Sequence, residues 1–181
     1  MKRAPSGRPT DGEFATYAKI DIDFVVGGDI IATLRHQAIE TTSFLSSVNE
    51  RFASTFHYAP GKWTVKQVLG HLIDDERIFA YRILCVARND STPLPGFDQD
   101  EYVASASFES QSLPNLLMEY RATRRATLSL LSSFTPEEWL RSGVVNGYVA
   151  TPRGLSFHIA GHELHHLRVL HEKYISSTPS A

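Results

Sequence analysis

The chain of 181 residues contains a single cysteine, Cys85. No disulfide can therefore brace it internally, and a reducing cytoplasmic setting is the simplest expectation. It lacks any apolar run long enough to span a bilayer, so no membrane partner is expected. It also lacks a strong charge of either sign. A formal net charge of -2 provides no field to draw it onto nucleic acid. Alternating strand patterns are scarce, and there are no internal repeats or low-complexity stretches. The opening MKRAPSGRPTDG is basic and rich in Pro and Gly, but no apolar stretch follows it, so it does not read as a secretory signal. Residues 1–26 are expected to be a loose tail or arm, and residues 176–181 a short C-terminal tail.

What remains is an ordinary globular composition, 42% hydrophobic and 21% charged, enough for one domain over residues 27–175. Four long segments carry helical periodicity. The first runs from about Asp29, a capping residue, to Val48, with Ile30, Leu34, Ala38, Thr41 and Leu45 on one stripe. The second opens on the capping box Thr64-Val65-Lys66-Gln67 and continues an apolar face to about Arg88. The third begins near Ser112 with Pro114 in its first turn and runs through Leu117, Tyr120, Leu128 and Leu131. A second capping box, Thr135-Pro136-Glu137-Glu138, opens a short helix. Asn146-Gly147 suits a tight turn, and Thr151-Pro152 starts the fourth long helix, which ends near Tyr174. The pattern predicts an all-α fold, an antiparallel four-helix bundle with at least one long crossover. The polar segment Asn89 to Gln111, with Pro93, Pro95 and Gly96, is that crossover, and a connection of this length can also cover a site.

Histidine is the abundant residue. Five of the eight fall between His158 and His171. His162 and His166 are four residues apart on a helix, so both rings leave one face, the spacing that lets two imidazoles meet one metal ion. His158 lies one turn earlier on nearly the same face. His165 is rotated away by about 60° and His171 by about 180° at the helical pitch, and His171 reads as a solvated residue near the helix end. The run His162-Glu163-Leu164-His165-His166 also fits the HExxH pattern of zinc proteases. The protease reading fails downstream. The longer metzincin pattern needs a glycine where Val169 stands and a histidine where Glu172 stands. A third ligand must then come from upstream, and His71, in GHLIDDE among Leu69, Leu72 and Ile73, is the strongest choice, since bundles build metal sites from facing helices. His36 lies off the stripe of its helix and His57 falls in a loop. Arg121, Arg124 and Arg125 read as a solvated basic face.

Taken together, YAPGKWTVKQVLGHLIDDERIFAYRIL, ARNDSTPLPGFDQDEYV and GHELHHLRVLHEKY resemble the DinB-like (DinB/YfiT) superfamily of metal-dependent enzymes, over nearly the whole chain. The resemblance implies a four-helix bundle with a long crossover and a divalent transition metal (zinc, nickel or iron) held by His71, His162 and His166. Glu76 belongs to the shared second-helix motif without an assigned role. His158 stands where relatives tend to carry an aromatic, and it is a candidate fourth ligand or pocket residue, with Asp75 and Glu76 beside it. Two chemistries suit three neutral imidazoles and an open coordination position. One acidifies a low-molecular-weight thiol for transfer to an electrophile, and the other activates water for hydrolysis. The resemblance places the thiol transferase first, hydrolysis second, and a non-catalytic metal-binding or interaction protein third. Hydrolysis would need a proton acceptor, for which His158, Asp75 and Glu163 are candidates, although Glu163 is rotated about 100° from His162. The expected partners are a small-molecule substrate and a second copy of the chain.

Overall fold

The computed structural model describes residues 7–175. Its long helices start where side chains satisfy their first free amides. In α2 (Ile30–Ser46) the Asp29 carboxylate accepts from the Ala32 amide at 3.0 Å. In α4 (Val65–Ala87) the capping box is reciprocal. Thr64 Oγ1 accepts from the Gln67 amide at 3.1 Å, and Gln67 Oε1 accepts from the Thr64 amide at 2.9 Å. Ser112 caps α6 (Leu113–Ser132), and Thr151, followed by Pro152, caps α8 (Pro152–Val169), which runs on into a wider π-helical turn at Leu170–Ile175. The shorter helices are α1 (Lys19–Ile22), α3 (Glu50–Thr55), α5 (Gln99–Ser105) and α7 (Pro136–Trp139). A hairpin of β1 (Gly143–Val145) and β2 (Tyr148–Ala150) turns on Asn146 and Gly147, both at positive φ, as this pair prefers. Strand pattern was too short there to be legible.

The long helices pack as α4 with α6 and α8, and α2 with α6 and α8, so α2 lies diagonally across from α4, and α6 from α8. The antiparallel bundle expected from the sequence is half realised. Facing residues run in opposite order in the α4–α8 pair, where His71 meets His162 and Phe79 meets His158. The same holds for α2–α6, where Arg124 reaches the Leu34 carbonyl and Ser46 lies by Leu113. They run in the same order in α4–α6, where Lys66 reaches the Gln111 carbonyl and Arg77 meets Glu119, and in α2–α8, where Gln37 meets Ala160 and Thr41 meets Glu163. Parallel α4 and α6 demand a return along the bundle, and residues 88–112 make it. The expected crossover is there, and it is stitched to the hairpin: the Leu94 amide donates to the Val144 carbonyl, and the Asn146 amide to the Leu94 carbonyl, each at 2.9 Å.

Residues 1–6 and 176–181, parts of the expected tails, lie outside the described residues. The rest of the presumed loose N-terminal segment is built into the fold. Phe14, Ala18, Ile22 and Val25 are core residues, and the segment lies along α8, whose Gly154 and Gly161 admit it. A Cβ on Gly154 would run into the Glu13 carbonyl, and one on Gly161 into the Asp21 carbonyl. Glu13 fixes the near end by accepting from Thr151 Oγ1 at 2.9 Å and from Arg153 Nε at 2.8 Å. Burial alone would push the Glu13 carboxyl up, but the Arg153, Thr10 and Thr151 bonds outweigh it and hold it at about 2.

Two apolar clusters fill the bundle, one around Leu34, Phe79, Ile83 and Leu131, the other around Leu45, Leu69, Leu116 and Leu170. Between them lies a polar layer centred on Arg124, which is 1% exposed. Its Nε donates to both Glu76 oxygens at 2.8 and 3.0 Å, its Nη1 to the Leu34 carbonyl at 3.1 Å, and its Nη2 to Glu163. Glu163 also accepts from Tyr120 at 2.7 Å and from Thr41. One guanidinium thus ties all four long helices. The solvated face expected for Arg121, Arg124 and Arg125 holds for the exposed first and last but not for Arg124.

Candidate metal centre

The site forms where the second turn of α4 faces the middle of α8. His71, 2% exposed, projects among apolar neighbours. His162 and His166 leave the same face of α8 one turn apart. The ligand atoms of these three side chains lie within 4.8 Å of one another, and His71 Nε2 is 2.8 Å from His162 Nε2. Trp63, just before the α4 cap, covers the cluster, with its ring 4.9 Å from that of His71 and stacked 6.3 Å from that of His166. Burial, with the charge of His162 adding to it, lowers His71 to about 3 and His166 to about 2. Both are held neutral, the form in which imidazole donates a lone pair.

His162 is different. Burial pulls its pKa down, but the charges of Asp75 and Asp21 and the Asp21 bond prevail and raise it. Asp21 comes from α1, in the N-terminal segment, and its Oδ2 is 3.3 Å from His162 Nδ1 while its Oδ1 is 2.9 Å from His165 Nδ1. A carboxylate on Nδ1 fixes the proton there and leaves the Nε2 lone pair for the cluster, the usual outer partner of a metal-bound histidine. Burial would raise the Asp21 carboxyl, but these histidines hold it at about 2. Sequence reading missed Asp21. The donor set fits a divalent transition ion, which would displace the second proton that the raised His162 pKa favours.

The remaining candidates divide. His158 is outside the converging set. Its ring stacks 4.1 Å from Phe79 and 5.3 Å from His162, its Nε2 lies 4.0 Å from Asp75 Oδ2, and its Nδ1 is sealed with no hydrogen-bond partner among the described residues. It reads as cavity wall rather than fourth ligand. Asp75 lines the same cavity of about 310 Å³ as Asp21, His158 and His162. Glu76 does not reach it, because one residue further round α4 it faces the polar layer and pairs with Arg124. Glu163, the HExxH glutamate, is bound in that layer too, so it faces away from the cluster. His165 is partly exposed and belongs to Asp21. His36 pairs with Glu40 on the surface, and exposed His57 contacts the Lys62 carbonyl. His171 is exposed, as expected, and stacks on Phe44 at 3.9 Å. A second cavity of about 320 Å³ borders His165 and His166. Gln99, the first residue of α5, lines both cavities, so the crossover roofs the site.

A four-helix bundle carrying three converging histidines, two of them on one helix and the third on a helix facing it, defines a class of metal-site bundle. The chain belongs to the DinB superfamily, whose family model matches residues 29–170. Its fold is similar to that of YfiT from Bacillus subtilis, described as a probable metal-dependent hydrolase with an unusual four-helix bundle topology. The TM-score is 0.66 at 16% identity, over 94% of this chain and 93% of that one. No curated protein matches the sequence. Among the described residues, no helix is long and apolar enough to cross a membrane.

Proposed function

We propose that this protein is a metal-dependent hydrolase of small molecules, with the ion held by His71, His162 and His166. The observation that carries the reading is the cavity against His162, because it places a carboxylate, Asp75, beside the candidate ion site; its ion-pair partner among the described residues is His158 at 4.0 Å, which burial keeps neutral by lowering its pKa to about 3. A divalent ion on three imidazoles supplies Lewis acidity that makes a water molecule or a thiol nucleophilic near neutral pH. Asp75 accepts the proton that the nucleophile gives up. Burial pushes its carboxyl up to about 6 against the opposing pull of His162 and Arg82, which suits a group that must both take and return a proton. Asp21 orients His162. Trp63 and the crossover exclude bulk water. The YfiT description supports the same class of reaction. The thiol transfer placed first by the family resemblance would use the same three histidines and the same cavity, but a thiol, far more acidic than water, depends less on Asp75 as its proton acceptor.

The test uses protein prepared without an affinity tag, stripped with a chelator and reloaded with zinc, nickel or iron. Hydrolysis within a panel of small esters and amides should appear only with metal, and His71→Ala should lose both the metal and the rate. Asp75→Asn should keep the metal and lower kcat by about 10²–10⁴. Conjugation of an electrophile with a cellular thiol, with no metal-dependent hydrolysis, would replace this reading by the transferase.

A further inference from the structure

Arg82 lies on the stripe of α4 that carries Asp75 and Phe79, and it faces the same cavity. It is 4% exposed, yet its partners are few. Nη2 donates to the Pro95 carbonyl at 2.7 Å, and among the described residues no carboxylate oxygen comes within the 4.0 Å of an ion pair. Arg124, the other buried arginine of the bundle, has two carboxylates and a carbonyl. A buried cation without a counter-charge is costly, so its persistence calls for an explanation. The unused donors of Arg82 are not among the sealed unpartnered atoms, which are Gln37 Oε1 and His158 Nδ1. They therefore border open space, and the open space at this residue is the cavity. The guanidinium is also held in place, with its carbon 4.7 Å from the Phe79 ring centre and 5.6 Å from that of Phe97. Burial lowers the Arg82 pKa while the Asp75 charge works the other way.

We propose that Arg82 anchors a carboxylate of the substrate, so that the enzyme acts on small monoanionic carboxylic acids carrying their labile bond at the far end. The planar fork of donors matches a carboxylate. One cation set against Asp75 and Asp21 in the same cavity suits a single negative charge better than a doubly charged phosphate. Phe79, Phe97 and Tyr17 offer an apolar wall for the body of the ligand. Asp75 and Arg82 are separated by about 10 Å of helix rise, which sets the span between the reacting end and the anchored end. This inference takes from the preceding section only that chemistry occurs beside His162; the anion site itself does not depend on it.

The experiment is equilibrium binding to the chelator-treated protein, measured by titration calorimetry, with the Arg82 Nε–H resonance followed in the wild type. The probes are phenylacetate, its neutral counterpart phenylacetamide, and phenyl phosphate. Phenylacetate should shift that resonance and bind roughly tenfold or more tightly than the amide, with phenyl phosphate no better. Arg82→Met should abolish the preference, and Arg82→Lys, which keeps the charge and is the fallback if the methionine variant does not fold, should reduce it. Equal binding of acid and amide, or a preference that survives both substitutions, overturns the proposal; a preference for phenyl phosphate overturns the monoanion assignment. Binding is read without metal, so absence of hydrolysis would refute the preceding reading and leave this one standing.

Discussion

Removing Arg124 should cost this bundle much of its stability, and neutralising its two carboxylate partners should restore most of the loss, which a simple loss of packing would not allow. Arg124→Ala deletes charge-assisted bonds to Glu76 and Glu163 and leaves both carboxylates, each 2% exposed, without a cation. Breaking a buried ion pair from one side costs about 3–5 kcal/mol, a large part of the roughly 5–15 kcal/mol that holds a typical domain together. Urea denaturation followed by fluorescence of Trp63 and Trp139 measures this directly. Adding Glu76→Gln and Glu163→Gln to Arg124→Met should recover most of the loss, because a neutral layer has no charge to strand. A loss below about 1 kcal/mol, or no recovery when both glutamates are neutralised, would refute the assignment of the layer as an ionic tie.

Three further outcomes follow from the N-terminal segment. Asp21→Asn should weaken metal binding by about 10–100-fold without altering which residues bind, as measured by competition with a chelator. Gly161→Ala forces a methyl group against the Asp21 carbonyl, so the segment should detach from α8. The expected cost is about 1–3 kcal/mol, with new proteolytic cleavage before residue 29, and an unchanged digest would contradict the close approach. Glu13, held at about 2 against an ordinary 4.5, adds stability that is full above pH 4.5 and fades as pH falls toward 2. Wild type and Glu13→Gln should therefore differ most in melting temperature at pH 6, less at pH 3, and converge only below about pH 2.

The long helices and the histidine triad were legible because each leaves a local mark. Thr64 and Gln67 announce a helix start within four residues, and His162 and His166 share a face by spacing alone. His71 needed the further step that apolar stripes in a bundle face each other. Asp21 left no such mark, because it joins its partner across 141 residues from a helix of only 4 residues that precedes the family match at residue 29. Arg124 had a mark that was overlooked. It falls on the buried stripe Leu117, Tyr120, Arg124, Thr127 and Leu131, and a charge on such a stripe signals a buried partner more strongly than two exposed arginines nearby signal a solvated face. The parallel pairing of α4 with α6 was illegible for another reason. Periodicity identifies which face of a helix is buried but not the direction of its neighbour.

That parallel pairing has a consequence for how such a protein can vary. A helix the length of α4 spans about 35 Å, which an extended chain retraces in about ten residues. Residues 88–112 are roughly two and a half times what that return requires. The surplus builds α5, Phe97 and Gln99 over the two cavities, so chain left over from the wiring of the bundle becomes the roof of its chemistry. Insertions and exchanges there can reshape what enters while the four helices and the three histidines stay as they are, which makes the crossover the natural place for relatives to diverge in substrate.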